Sequence, residues 1–314
     1  MSVPPIGATY EYNWNSLVGC VQALLRSADL PHDAARVSAV TGEAYRIVVS
    51  EPSDRGAAFA RSPHLWRSLD GLADDLALLG LPARVDSWDL RRGKPALLSR
   101  RVGRRVRGAL SAGRPVAAWG AVEGEFGLLV GYDSERRAYR VRGPLSDEVG
   151  SWLPGDRLPA PDAEWLALVS PEPNRSAPAS LRVLVARSAS HRLRADPGGA
   201  LQRWARLLRS ETEIDARGHA RAAQVLAAAA GEVARFWQYG SDEGVEELRE
   251  AAGLSTHVAV ALSRFATLFP FPAGGDVRGG GREAGARALD AAGDVDAWLQ
   301  ALLPPITNLA GEQS

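Results

Sequence analysis

The stretch Asn15-Ser16-Leu17-Val18-Gly19-Cys20 opens an apolar-periodic segment and holds the single cysteine of a 314-residue chain. A thiol or hydroxyl at the start of a helix can act as a nucleophile. The first-turn amides have no helical partner, and their partial positive charge favours an anion there. Such a nucleophile also needs a base, most often histidine, and a third group that orients the base. The chain has five histidines, His32, His64, His191, His219 and His257, and none lies between residues 114 and 171. His32 and His64 sit in loop-like settings that predict surface positions, and His219 and His257 read as solvated or locally bonded helix residues. TGEAYRIVVSEPSD (41–54) mixes an aromatic residue, Arg46 and acids after a helix end, which makes Tyr45 and Arg46 a second candidate group, with structural pairing an equal alternative. A third is the basic run RRGKPALLSRRVGRRVR (91–107), able to touch an acidic partner, an acyl-carrier protein or a phosphate, although a solvated helix face is the simpler reading and the one preferred. GGDVRGGGREAG (274–285) follows no strand and lacks a Lys-Ser/Thr ending, so it reads as a loop and not a phosphate cradle. The sequence holds no His/Cys cluster with metal spacing and no Gly-x-Ser-x-Gly, so neither a metal nor a cofactor is expected.

These residues need elements to position them. Leu17, Val21, Leu24, Leu25 and Ala28 recur at helical spacing, which predicts a helix over about 15–28 capped by Asn15 or Ser16. Further helices are expected from about Pro31 to Gly42, from Pro63 to Leu79, and from Leu98 to Leu110, the last one basic and amphipathic. RPVAAWGAV (114–122), GEFGLLVGYD (124–133) and RAYRVRGP (137–144) then read as strands, the last two joined in a hairpin through Asp133–Arg136. AEWLALVSP (163–171) and ASLRVLVAR (179–187) are further strand candidates, separated by a linker at PEPNRSAP. Four apolar-striped segments (198–210, 218–240, 245–269 and 282–303) complete the chain, the third expected to break near Gly253. Short connections between them favour antiparallel packing. Trp14, Trp66, Trp88 and Trp119 are expected in the core. The fold class is therefore α+β, with helices packed on an antiparallel sheet over residues 1–175, a strand or linker over 176–195, and a helical bundle over 196–314.

The early helix followed by FGLLVGYD and YRVRGP resembles the papain-like cysteine peptidases that cut double-glycine leaders from bacteriocins. It is closer still to the related N-terminal domain group of butirosin biosynthesis protein H. The resemblance covers about residues 10–170 and implies a papain-like domain. Laid on the family's helix by its apolar stripe, Ser16 falls where the nucleophilic cysteine belongs, Glu125 where the histidine belongs and Gly143 where the orienting acid belongs. Cys20 falls one turn further in, on the same face as Leu17 and Leu24, which predicts a packing residue. A register shifted by one turn would instead make Cys20 the thiol. A serine without a basic partner keeps its proton near neutral pH, and glutamate of ordinary acidity is a weak base for it. In this frame the region of Tyr45 and Arg46 would edge the cleft, and the two could hold a carboxylate or a peptide.

Three functional expectations follow. The first is a papain-like protein whose catalytic set is lost, acting as a binding or accessory protein in bacterial peptide or natural-product metabolism. The second is an acyltransferase or amide hydrolase of the butirosin biosynthesis protein H type using Cys20 or Ser16. The third is a structural adaptor working through the C-terminal helices. A peptide or an acyl-carrier protein is the expected partner. With 37 basic and 37 acidic residues, no global field recruits nucleic acid or membrane. The N-terminus lacks a basic segment followed by an apolar run, no apolar run reaches membrane-spanning length, and the single cysteine fits a reducing compartment, so a cytoplasmic location is expected.

Overall fold

The computed structural model describes residues 2–30, 32–47, 69–91, 97–122, 124–144, 150–158, 165–210, 216–271 and 280–309. The chain divides into two compact units, one of Met1–Val37 with Trp66–Pro178 and one of Ser38–Leu65 with Ala179–Ser314. Residues 38–47 thus belong to the second unit, whereas a contiguous 1–175 domain had been expected. Apolar periodicity reports which face of a segment is buried but not which core buries it.

In the first unit, α1 spans Ser16–Ser27 and α2 begins within Ala34–Val40, where Asp33 Oδ1 accepts the Arg36 amide at 2.8 Å. α3 is Leu72–Leu78, and the stretch 63–68 of the longer expected helix lies outside the described residues. β1 (Ala83–Asp89), α4 (Leu98–Ser111), β2 (Val116–Val122), β3 (Glu125–Asp133), β4 (Ala138–Arg142), β5 (Ser151–Pro154) and β6 (Trp165–Pro171) follow. The strands form one six-stranded sheet in the order β1-β6-β2-β3-β4-β5, every neighbouring pair antiparallel. β2 and β3 are continuous apolar runs because both faces are covered. Val102, Val106 and Leu110 of α4 pack with Val116, Ala118, Leu129, Val141 and Leu168. Leu128 and Val130, which alternate to the other face, are equally buried, and α1 packs on β3. The β3–β4 hairpin turns where expected: Asp133 Oδ1 accepts the amides of Glu135 and Arg136, and Arg137 takes the left-handed φ of 51°. β1 and β5 carry too little apolar alternation to be read from sequence; β1 is held at the sheet edge by full-length pairing with β6.

The second unit is helical in its described residues, with α5 (Leu181–Ala195), α6 (Pro197–Ser210), α7 (Ala216–Asp242), α8 (Arg249–Leu268) and α9 (Gly280–Thr307) joining a 3₁₀ turn at Glu43–Tyr45. The strand expected over 179–187 is helix instead. Leu184, Ser188 and Arg192, with Val185 and Ala189, are buried at helical spacing, and a short apolar run alone does not distinguish the two periods. α8 runs unbroken through Gly253, and residues 280–285 of the expected glycine-rich loop lie in α9. Gly285 is required there, since a Cβ would stand 2.7 Å from the Phe269 ring. Trp204, Leu208, Leu262, Phe265, Phe269 and Leu289 form the core.

A buried ion pair crosses this helical unit. The Arg192 guanidinium bonds to Asp296 and lies 5.4 Å from the Tyr45 ring centroid and 5.7 Å from that of Trp237, while the Gly198 amide donates to the other Asp296 oxygen at 2.9 Å. Both charges are therefore held by several polar or aromatic partners, which is the condition for tolerating them away from water.

Candidate functional site

α1 begins where its sequence can cap it. Asn15 has an extended backbone (φ −97°, ψ 105°), and its side-chain oxygen accepts the Val18 amide at 3.1 Å, satisfying one first-turn donor. Ser16 is the first helical residue and is only 1% exposed. Its hydroxyl donates to Glu125 Oε2, and its oxygen accepts the Phe126 amide at 3.0 Å.

Glu125 is the first residue of β3, directly after a turn in which Gly124 has φ +65°. The β2–β3 ladder is irregular at this point. Trp119 pairs with Phe126 but Val122 with Glu125, so Gly120 and Ala121 loop out of β2, Gly120 at φ +76°. The bulge brings the Glu125 carboxylate, 2% exposed, and the Phe126 amide to the start of α1. The positive end of the helix favours a carboxylate there. Gly143 lies against the same strand. A Cβ at 143 would be 2.7 Å from Val122 Cγ2 and 3.7 Å from the Phe126 carbonyl oxygen. Positions 16, 125 and 143, expected to belong together, thus all lie around Phe126. A side chain at 143 would have to displace Val122, so this position has no room for an orienting acid as it stands. Beside the cluster Trp119 stacks on Trp165 with centroids 5.0 Å apart, and Phe126 meets Trp119 edge-on at 5.4 Å. Trp119 is a core residue as expected, Trp14 and Trp88 are half-buried, and Trp66 lies outside the described residues.

This arrangement leaves little for chemistry. A nucleophilic hydroxyl needs a lone pair aimed at an incoming carbonyl and a path for the substrate. The Ser16 hydroxyl donates a hydrogen bond to Glu125, accepts one from the Phe126 amide and is shielded from solvent. Cys20, one turn on, has no exposed surface, and burial pushes its thiol far above the ordinary cysteine range, so it stays protonated.

The histidines have other tasks. His32 is half-buried, its Nε2 2.9 Å from the Leu79 carbonyl oxygen. His219 is fully buried and not solvated, because α6 and α8 close over it; its Nδ1 accepts the Trp204 indole N–H at 3.1 Å. His191 packs against Gly42 within the second unit, His257 is exposed, and His64 lies outside the described residues.

Tyr45 and Arg46 belong to the second unit. Tyr45 is 1% exposed, its hydroxyl lies 2.6 Å from Ser188 Oγ, and burial pushes its pKa up to about 12. Its ring and hydroxyl are thus committed to packing, which an apolar-aromatic sequence context could not distinguish from a binding role. Arg46 pairs with Glu43 at 3.4 Å. Sequence reasoning missed the Phe126 amide and the Trp165 stack. Nothing in one dimension signals a backbone donor exposed by a bulge.

Among the described residues no group of three or more His, Cys, Asp or Glu side chains is placed to hold a metal ion, and no helix is long and apolar enough to cross a membrane. No known protein-family model matches the chain, and neither does any curated protein sequence.

Proposed function

We propose that the first unit is a papain-like domain whose catalytic set has been replaced by a structural latch, and that the protein acts as a binding or accessory component in bacterial peptide or natural-product metabolism. A peptide or an acyl-carrier protein is the partner this reading favours, with the second unit as an accompanying helical bundle. The observation that carries it is the closed Ser16–Glu125 pair. The residue in the nucleophile position is buried, with its one donor on Glu125 and a lone pair on the Phe126 amide. The resemblance of SLVGCVQALLR, FGLLVGYD and YRVRGP supports the domain type, and the common location of positions 16, 125 and 143 supports the register.

The test is a rapid-mixing assay of the pure protein with peptide amides and acyl thioesters, together with fluorophosphonate and iodoacetamide labelling of the native state. The expected result is no burst and no labelling at Ser16 or Cys20. A stoichiometric acyl-enzyme burst removed by Ser16→Ala or Cys20→Ala would overturn the proposal in favour of an acyltransferase or amide hydrolase.

A further inference from the structure

α4 carries Arg100, Arg101, Arg104, Arg105 and Arg107 and no acidic residue. Two of the five have partners among the described residues. Arg105 pairs with Asp86 of β1, and Arg107 lies over the Tyr132 ring with its guanidinium 5.3 Å from the centroid. Arg100, Arg101 and Arg104 are exposed and make no ion pair or hydrogen bond among the described residues. They stand on one face, because Leu97, Arg100, Arg101, Arg104, Gly108 and Ser111 recur at intervals of three and four and are all exposed. Like charges at such intervals repel and weaken a helix. Among the described residues no carboxylate pairs with these three to offset that repulsion.

Two further features mark the same face. Leu97 leaves 66% of its surface in water at the head of the stripe. Gly108 sits inside the helix although nothing lies within 4 Å of where its Cβ would be. Gly103, on the opposite face, is explained by close neighbours, since its Cβ would meet Arg107 Nη1 at 3.0 Å and Tyr139 Oη at 3.4 Å. Gly108 has no such internal reason, and glycine is the least helix-favouring residue after proline. A small residue on an exposed face lets another backbone approach closely.

We propose that this face of α4 docks an acidic amphipathic helix of a partner protein. Carboxylates of that helix meet Arg100, Arg101 and Arg104, its backbone crosses at Gly108, and an apolar residue covers Leu97. A protein helix fits better than a nucleic acid, because this face of α4 offers three guanidinium groups among the described residues, on a chain of zero net charge, beside an exposed leucine. The inference stands on α4 alone and does not depend on the state of the Ser16 site.

The test uses the full chain and a labelled helical peptide with glutamates at i, i+3, i+4 and i+7 and a leucine at one end of that face. A peptide of the same composition with its glutamates spread around the helix is the control. Fluorescence anisotropy should show the face peptide binding at least tenfold more tightly than the control, with affinity falling at higher salt. R100E/R101E/R104E should weaken binding at least tenfold with the circular dichroism unchanged. Gly108→Ala should raise the unfolding midpoint yet weaken binding several-fold, a combination that a merely structural role for α4 does not produce. No binding, equal binding of the two peptides, or indifference to the charge reversal overturns the proposal. So does tighter arginine-dependent binding of duplex DNA or phosphatidylserine vesicles, which would assign the face to a different class of partner.

Discussion

Ser16→Ala removes one oxygen from a site with almost no solvent, and the consequence can be worked from its two bonds. The hydroxyl donates to Glu125 and accepts the Phe126 amide, and both residues are buried. A hydrogen bond to a charged group contributes roughly 1.5–3 kcal/mol, and a buried donor left without its partner costs about 1–3 kcal/mol. The two terms overlap, so the expected loss is about 2–4 kcal/mol, shared between the two bonds that the Ser16 oxygen makes in this buried site. Urea unfolding followed by tryptophan fluorescence measures this as a lower midpoint at unchanged slope. The double variant S16A/E125L supplies the decisive comparison. Replacing both partners by apolar groups removes the buried carboxylate together with its hydroxyl donor, so the double variant should be more stable than the sum of the single losses predicts, with a coupling on the order of 1–3 kcal/mol. If Ser16→Ala leaves the midpoint where it was, or the two substitutions add without coupling, the latch is not what holds α1 to the β2–β3 turn.

Three other outcomes follow from the structure. Asp296→Ala should destabilise the second unit by about 3–5 kcal/mol, since it strands the buried Arg192 charge between Tyr45 and Trp237, and Asp296→Asn should cost less; thermal unfolding measures both. His32 is held below the ordinary histidine pKa, first by burial, and with less force by the Arg36 charge, against the bond to Leu79 and the charge of Asp33. The folded state therefore binds fewer protons at this residue than the unfolded one, so its contribution is intact above about pH 6.5 and is lost as pH falls through the folded-state pKa. His32→Gln should flatten that part of the stability–pH curve, and an unchanged slope would refute the assignment. Gly143→Asp should lower the stability of the first unit through collision with Val122 and should not confer activity, as read by urea midpoint and acyl-thioester turnover.

Much of the sheet was legible because β2 and β3 are uninterrupted apolar runs and β4 alternates, and each pattern admits few structures. The α4 boundaries were legible because arginines mark one face and Val102, Val106 and Leu110 the other. The fate of 179–187 was not, since Leu184 and Val185 suit a strand until Ser188 and Arg192 are seen to be buried with them. Gly253 looked like a break because glycine disfavours helix locally, and packing along α8 outweighs that preference.

The amino-acid order by itself determined the mixed α+β character, the start of α1 at Asn15–Ser16, and the burial of Cys20 on an apolar face, because all of these depend on periods of two or 3.6 residues and on local capping. Only the tertiary structure decided that Ser16 and Glu125, 109 residues apart, share a proton donor and acceptor, that Gly143 has no room for a side chain, and that residues 38–47 join the helical unit. Those facts depend on a bulge at Gly120–Ala121 and on which cores the chain enters, and such long-range choices are settled by the packing of the whole molecule and not by any local pattern.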